Sequence, residues 1–120
     1  INMQKILNSI ENLNKLSELL NENQNLFFIK FTATWCGPCK RIGPLVDNWI
    51  NKLPEDCKFH EIDIDESLEL YSFYKTKKLA NGIPVILCWK KDNKEQAPNY
   101  LVLGANPNDI NNFFNKCLDK

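Results

Sequence analysis

Two thiols with two residues between them, in Cys36-Gly37-Pro38-Cys39, are the residues of this chain best suited to chemistry. The run before them, Leu26-Phe27-Phe28-Ile29-Lys30-Phe31, is mostly apolar and aromatic and reads as a buried parallel strand. After them, Ile42, Leu45, Val46, Trp49 and Ile50 recur at helical spacing. Cys36 is therefore expected at a helix N-terminus. Unpaired N–H groups and the positive end of the helix dipole favour a thiolate there, and the thiolate is the nucleophile of disulfide exchange. Cys39 follows one turn on, within bonding reach of Cys36, and Pro38 fits a first turn, where its missing N–H costs nothing. The chemistry such a pair can do is specific. Cys36 attacks a disulfide and forms a mixed disulfide, and Cys39 attacks Cys36 and releases the reduced target.

The elements that must position this pair form one unit over residues 1–120, without repeats or linkers. Met3 to Leu7 reads as a short edge strand. Asn12 to Leu20 reads as a helix with Asn12 as N-cap and Leu13, Leu16, Leu19 and Leu20 as its apolar stripe. The strand at 26–32 comes next, then the helix behind Cys36 to about Lys52, bent at Pro44, whose ring removes an intrahelical bond. A second strand is expected at 58–64 and a third helix from Ser67 through Leu68, Leu70, Tyr71 and Tyr74. Strands at 84–90 and 99–103 enclose the polar loop Lys91 to Pro98 as an antiparallel hairpin. Asn106 or Asn108 caps a last helix through Leu118.

Composition narrows the function classes. A chain of 120 residues buries roughly two thirds of its unfolded surface, enough for one core without staples. Fifteen basic residues balance fifteen acidic ones, so no global field points to nucleic acid or an anionic membrane. The longest uncharged apolar run, Ile83 to Trp89, is too short to span a bilayer. The 17 asparagines are scattered through periodic segments rather than gathered into a low-complexity tract. Five cysteines with only one close pair argue against a secreted disulfide framework and for a reducing compartment. Cys88, inside Pro84 to Trp89, and Cys117, one turn after Phe113 and Phe114, are expected in the core. Cys57, in Pro54-Glu55-Asp56-Cys57, reads as an incidental surface cysteine, with a regulatory thiol as the alternative. Cys36-x-x-Cys39 and Cys57-x-x-His60 also have zinc-ligand spacing, but three residues along a strand put Cys57 and His60 on opposite faces.

Thr32-Ala33-Thr34-Trp35-Cys36-Gly37-Pro38-Cys39-Lys40 resembles the active-site segment of thioredoxins, the eukaryotic type in particular. Asp63-Ile64-Asp65, Gly82-Ile83-Pro84 and Gly104-Ala105 follow in the family's order, so the resemblance covers about residues 26–118. It implies an α/β thioredoxin fold, a central mixed sheet of four to five strands flanked by about four helices. It implies a protein-disulfide reductase with Cys36 as nucleophile and Cys39 as resolving thiol. Pro84 would be cis and face the dithiol, the main chain of Ile83 would hold the target peptide as an added strand, Trp35, Gly37 and Pro38 would form the rim, and Gly104-Ala105 would border the groove. No metal or cofactor is implied. The expected partners are disulfide-containing proteins and a thioredoxin-reductase-type flavoenzyme as electron donor, with no nucleic acid or membrane. A cytoplasmic monomer is expected, with an organelle left open because the chain starts at Ile1 rather than Met. The alternatives are a redox-inert binding module or assembly subunit on the same fold, and a disulfide isomerase. Gly-Pro between the cysteines favours the thioredoxin reading, since isomerases commonly carry Gly-His.

Three departures stand out. Lys30 occupies the place where the family pattern has a buried acid assisting proton transfer at the second cysteine. A buried unpaired ammonium is costly, so Lys30 is expected to be paired, neutral or snorkelling. Glu61, where many bacterial thioredoxins have a lysine near that acid, is the candidate partner, which would exchange the two charges. Lys30 thus carries a proton-transfer or electrostatic role. Val85 follows the proline where threonine is common, and residues 66–83, with Tyr74-Lys75-Thr76-Lys77-Lys78, run longer than usual and add a basic loop.

Overall fold

A computed structural model describes residues 6–7 and 9–119. The elements are β1 (Ile6–Leu7), α1 (Leu13–Glu22), β2 (Phe27–Thr32), α2 (Gly37–Arg41), α3 (Gly43–Lys52), β3 (Lys58–Asp63), α4 (Leu68–Thr76), β4 (Val85–Trp89), β5 (Tyr100–Leu103) and α5 (Pro107–Leu118). Among the described residues the strands form one mixed sheet in the order β1-β3-β2-β4-β5. β2 runs parallel to β3, with Phe28 beside Phe59, and antiparallel to β4, with Phe28 beside Cys88. This is the mixed α/β sheet expected from the sequence. The strand expected over Met3 to Leu7 is described as Ile6–Leu7, paired in parallel with β3, and its earlier residues lie outside the described ones.

Alternation along the strands feeds two apolar layers. Phe27, Ile29 and Phe31 face α1 and α4, where they meet Leu16, Leu20, Leu70, Tyr71 and Tyr74. Phe28, Phe59, Ile86 and Cys88 face α3 and α5, where they meet Val46, Ile50, Ile110, Phe113 and Phe114. Trp49 joins the two outer helices, stacking on Phe114 with centroids 5.2 Å apart and donating its indole N–H to Asn111 at 2.9 Å. On the other face the Tyr74 hydroxyl donates to the Gln96 carbonyl at 2.7 Å, so this buried ring keeps its polar tip satisfied while burial pushes its phenol up.

The helix ends follow the residue chemistry. Asn12 accepts the Lys15 N–H at 2.9 Å and Asn106 accepts the Asp109 N–H at 3.0 Å, so each supplies the side-chain cap that a helix start requires. Between the two caps expected for the last helix, Asn106 is the one used.

Three expectations change in detail. The helix behind Cys36 divides into α2 and α3 at Ile42 instead of bending, because Pro44 has no N–H to return to the Lys40 carbonyl. The last α2 bond runs from the Ile42 N–H to the Pro38 carbonyl, and the first of α3 from the Val46 N–H to the Ile42 carbonyl. Leu68 begins α4 but is 60% exposed, turned away from the layer that takes Leu70, Tyr71 and Tyr74. Cys57 is buried rather than on the surface. A tight turn, with the Cys57 N–H on the Pro54 carbonyl, delivers the chain straight into the ladder through the Lys58 N–H and the Leu26 carbonyl. Cys57 therefore shares the face of Phe59 and drops into the layer under α3 and α5. The basic segment also begins inside α4, which holds Tyr74, Lys75 and Thr76, leaving Lys77 and Lys78 beyond its end.

Candidate active site

Cys36 is the N-cap of α2, directly beyond the C-terminal end of the central strand β2. It is bonded to Cys39 in a disulfide, with Cα atoms 5.3 Å apart. The Cys39 N–H points at Cys36 Sγ at 3.2 Å, and the Lys40 N–H bonds the Cys36 carbonyl at 3.2 Å. The amide at Cys36 Sγ is one of the donors that a helix start leaves over, and it would hold a thiolate as readily as a disulfide sulfur. Pro38 sits in the first turn, as its missing N–H requires. Both sulfurs are largely covered, while Gly37 and Pro38 are exposed beside them.

Four loops meet at this end of the sheet. The Ile83–Pro84 bond is cis, as expected, and Ile83 packs against the apolar layer that contains Cys36 and Cys39. Ile83 and Pro84 precede Val85, the first paired residue of β4. Gly82 and Gly104 have φ of 123° and 95°, values that a side chain disfavours, and they frame the segment on either side. The Gly104 N–H donates to the Pro84 carbonyl at 2.8 Å, which ties the end of β5 to the loop before β4. Ala105 lies next to that tie, half-buried.

Trp35 stands 65% exposed on the rim. Its indole N–H donates to Asp65 Oδ2 at 2.8 Å, and the Asp65 N–H in turn donates to Asp63 Oδ1 at 2.8 Å. Asp65 is a site residue that sequence reasoning passed over as the end of a strand. Its signal was the pair of acids at the end of β3, Asp63 as its last residue and Asp65 in the turn beyond, a composition that favours side-chain bonds to local N–H groups. Asp65→Ala should free the indole and raise the KM for a protein disulfide by roughly 2- to 10-fold, the range for one lost hydrogen bond. Turnover of a small-molecule disulfide should hardly change, because such a substrate does not need the rim. Steady-state kinetics on both substrates checks this, and equal losses on both would remove Trp35 from target contact.

Behind the disulfide a cleft of about 690 Å³ is lined by Lys30, Cys39, Asp47, Glu61, Asp63 and others. Lys30 is only 4% exposed and lies beside Glu61 in the β2–β3 register. The expected ion pair between them is not formed, and no hydrogen bond joins the two side chains. No fully buried nitrogen or oxygen is left without a partner among the described side chains, so the Lys30 ammonium reaches the cleft. It snorkels: the stem is buried in the sheet face and the charge opens onto solvent near several carboxylates. The register that aligns Lys30 and Glu61 sets them side by side, and the open cleft removes the need for direct contact.

The other candidate ligands do not join the dithiol. Cys57 packs under α3 and α5, whereas His60 lies on the opposite face against Phe27, with ring centroids 5.2 Å apart. Among the described residues, no group of three or more His, Cys, Asp or Glu is placed to hold a metal ion. No described helix is long and apolar enough to cross a membrane.

Comparison with known proteins agrees with this geometry. The family model for thioredoxin matches residues 8–116. Thioredoxin-1 of Saccharomyces cerevisiae is 35% identical over 82 residues, covering 68% of this chain and 71% of the yeast protein. The thioredoxin of Ophiophagus hannah is 41% identical over 61 residues, covering 51% of this chain and 57% of that protein. The solved structure of Trichomonas vaginalis thioredoxin superposes with a TM-score of 0.76 at 25% identity, covering 93% of this chain and 96% of that one. A disulfide-bonded Cys-x-x-Cys capping a helix, a cis-proline loop beside it and a family match over nearly the whole length lead to one assignment: the chain belongs to the thioredoxin family, and its chemistry is thiol–disulfide exchange.

Proposed function

We propose that this protein reduces disulfides in other proteins, with Cys36 as the attacking thiolate and Cys39 as the resolving thiol, and that the chain acts as one domain. The observation that carries the proposal is the placement of Cys36 as the cap of α2, already bonded to Cys39, with exposed Trp35, Gly37 and Pro38 around it. The target peptide lies along Ile83–Pro84 and pairs with the Ile83 main chain, with Gly104 and Ala105 at its border. Ile83 supports this role because it precedes the first residue that β4 commits to the sheet. The reduced pair attacks a target disulfide and leaves as Cys36–Cys39 disulfide, and a thioredoxin-reductase-type flavoenzyme returns two electrons to it.

The test is a coupled assay. NADPH, the flavoenzyme and catalytic amounts of this protein should reduce a disulfide-linked test protein with sustained turnover. Failure both in this system and with a small dithiol as reductant would overturn the reading in favour of a redox-inert module. Reduction by the dithiol alone would keep the chemistry and reject the flavoenzyme partner.

A further inference from the structure

The chain is rich in asparagine, a residue whose side-chain amide is chemically labile, yet of its 17 asparagines only Asn81 is followed by glycine. Several of the others are committed elsewhere. Asn12 and Asn106 cap helices, Asn111 holds the Trp49 indole, and the Asn99 side chain accepts the Lys90 N–H. Asn81 stands exposed in the irregular segment between α4 and β4. Among the described residues, no hydrogen bond holds its carboxamide or the Gly82 N–H. A Cβ placed on Gly82 would meet nothing within 4 Å, so the space beside this peptide bond is open. Gly82 has no side chain to shield its own nitrogen, and at a φ of 123° it already uses the freedom that only glycine has.

We propose that Asn81 is a self-modification site, a deamidation to isoaspartate that needs only water and that withdraws the adjoining Ile83–Pro84 loop from target binding as the protein ages. The Gly82 nitrogen attacks the side-chain carbonyl carbon of Asn81. A C–N bond forms, the bond to the amide nitrogen breaks, and ammonia leaves with the proton that Gly82 gives up. The product is a succinimide ring. Water then opens the ring, its hydroxyl going to one carbonyl carbon and its proton to the ring nitrogen, which becomes the Gly82 N–H again. Opening at the side-chain carbonyl leaves an aspartate in normal linkage, and opening at the main-chain carbonyl leaves isoaspartate, with the main chain routed through Cβ and Cγ. One water enters, one ammonia leaves, and nothing is oxidised or reduced. The added main-chain atom falls where the loop has little slack. Ala80 is fully buried on one side, and on the other the Pro84 carbonyl is tied to the Gly104 N–H at 2.8 Å. Only Asn81, Gly82 and Ile83 lie between these anchors to absorb the length, so the Ile83 main chain must move. This loss of binding rests on Ile83 as the residue that holds the target peptide, whereas the modification does not.

The experiment ages the folded protein and Asn81→Gln in neutral buffer at body temperature, with the thiols kept reduced. Glutamine would have to close a larger ring and serves as the unreactive control. Samples taken over time are digested for peptide mass spectrometry, probed with an isoaspartate-specific methyltransferase, and assayed on a protein disulfide and on a small-molecule disulfide. The peptide carrying Asn81 should gain the mass of –OH in place of –NH2 before any other asparagine peptide, with isoaspartate as the main product, while the Asn81→Gln protein accepts no methyl group at this position. As conversion proceeds, the KM of wild type for the protein disulfide should rise by roughly 3- to 10-fold, the scale of one or two lost backbone hydrogen bonds. Turnover of the small disulfide should hold, and aged Asn81→Gln should match its own fresh sample on both substrates. The mass and methylation readouts stand apart from the reductase reading, which fails separately if fresh protein does not reduce the protein disulfide. The proposal is overturned if other asparagines convert while Asn81 keeps its amide, if isoaspartate accumulates at position 81 with KM unchanged, or if both substrates lose activity equally.

Discussion

A Cys39→Ser variant is expected to remain covalently attached to its targets through Cys36. The disulfide between Cys36 and Cys39 is the product of the resolving step, and without the Cys39 sulfur that step has no nucleophile within reach. Cys36 keeps its place as N-cap, with the residue-39 N–H still directed at its sulfur, so the first attack should slow by no more than a few-fold. Multiple turnover should fall by roughly 10³-fold or more, the scale seen when a covalent-catalysis residue is removed. Cys36→Ser should lose turnover on the same scale and form no adduct. Non-reducing electrophoresis with mass spectrometry of the linked peptides distinguishes the two variants. Adducts on Cys39, or none on either variant, would place the nucleophile elsewhere.

Lys30→Asp should make the pair more reducing. Lys30 lines the same cleft as Cys39, and its ammonium reaches that cleft without a hydrogen bond or ion pair to Glu61. A cation there favours the thiolate over the thiol, hence the reduced over the oxidised pair, and raises the potential. Aspartate reverses the sign of the interaction. For each unit by which thiol ionisation moves up, about 1.4 kcal/mol is transferred, equivalent to about 30 mV for a two-electron couple. The redox titration against glutathione should shift by roughly that amount or more, and the alkylation rate should need a correspondingly higher pH to reach its plateau. Lys30→Met, which removes the charge without adding one, should shift both curves in the same direction by less. Superimposable curves for all three proteins would mean that the cleft screens the ammonium completely.

Regular periodicity made most of this fold legible. The aromatic run of β2, the Leu16 and Leu20 stripe, the Phe113 and Phe114 stripe and the caps Asn12 and Asn106 are local signals, and local structure followed them. The site's thiols were legible for the same reason, since strand, Cys-x-x-Cys and helix are contiguous. What sequence obscured depends on distant partners. Cys57 looked like a loop residue because its turn is polar, yet the Lys58–Leu26 bond starts the ladder at once and turns the side chain inward. Leu68 belongs to a helical run but occupies its outward first position. Lys30 in an apolar strand suggested a salt bridge, and only the open cleft behind β2 shows how the charge is accommodated without one. Asp65 could not be tied to Trp35 before the topology had brought the turn after β3 beside the loop after β2.

The division of the helix at Ile42 bears on how the molecule senses its own redox state. A helix as short as α2 holds no stable fold in water by itself, so its order is borrowed from what it is attached to. In the oxidised protein the Cys36–Cys39 bond staples its first turn, while the break at Ile42 uncouples its last turn from the long, well-packed α3. Reduction removes the staple and leaves the break. The amides of Lys40 and Ile42 then become gates that open more often, while that of Val46 in α3 keeps its protection. A partner that tells the reduced from the oxidised protein therefore has a difference in local breathing to read as well as a difference in sulfur chemistry.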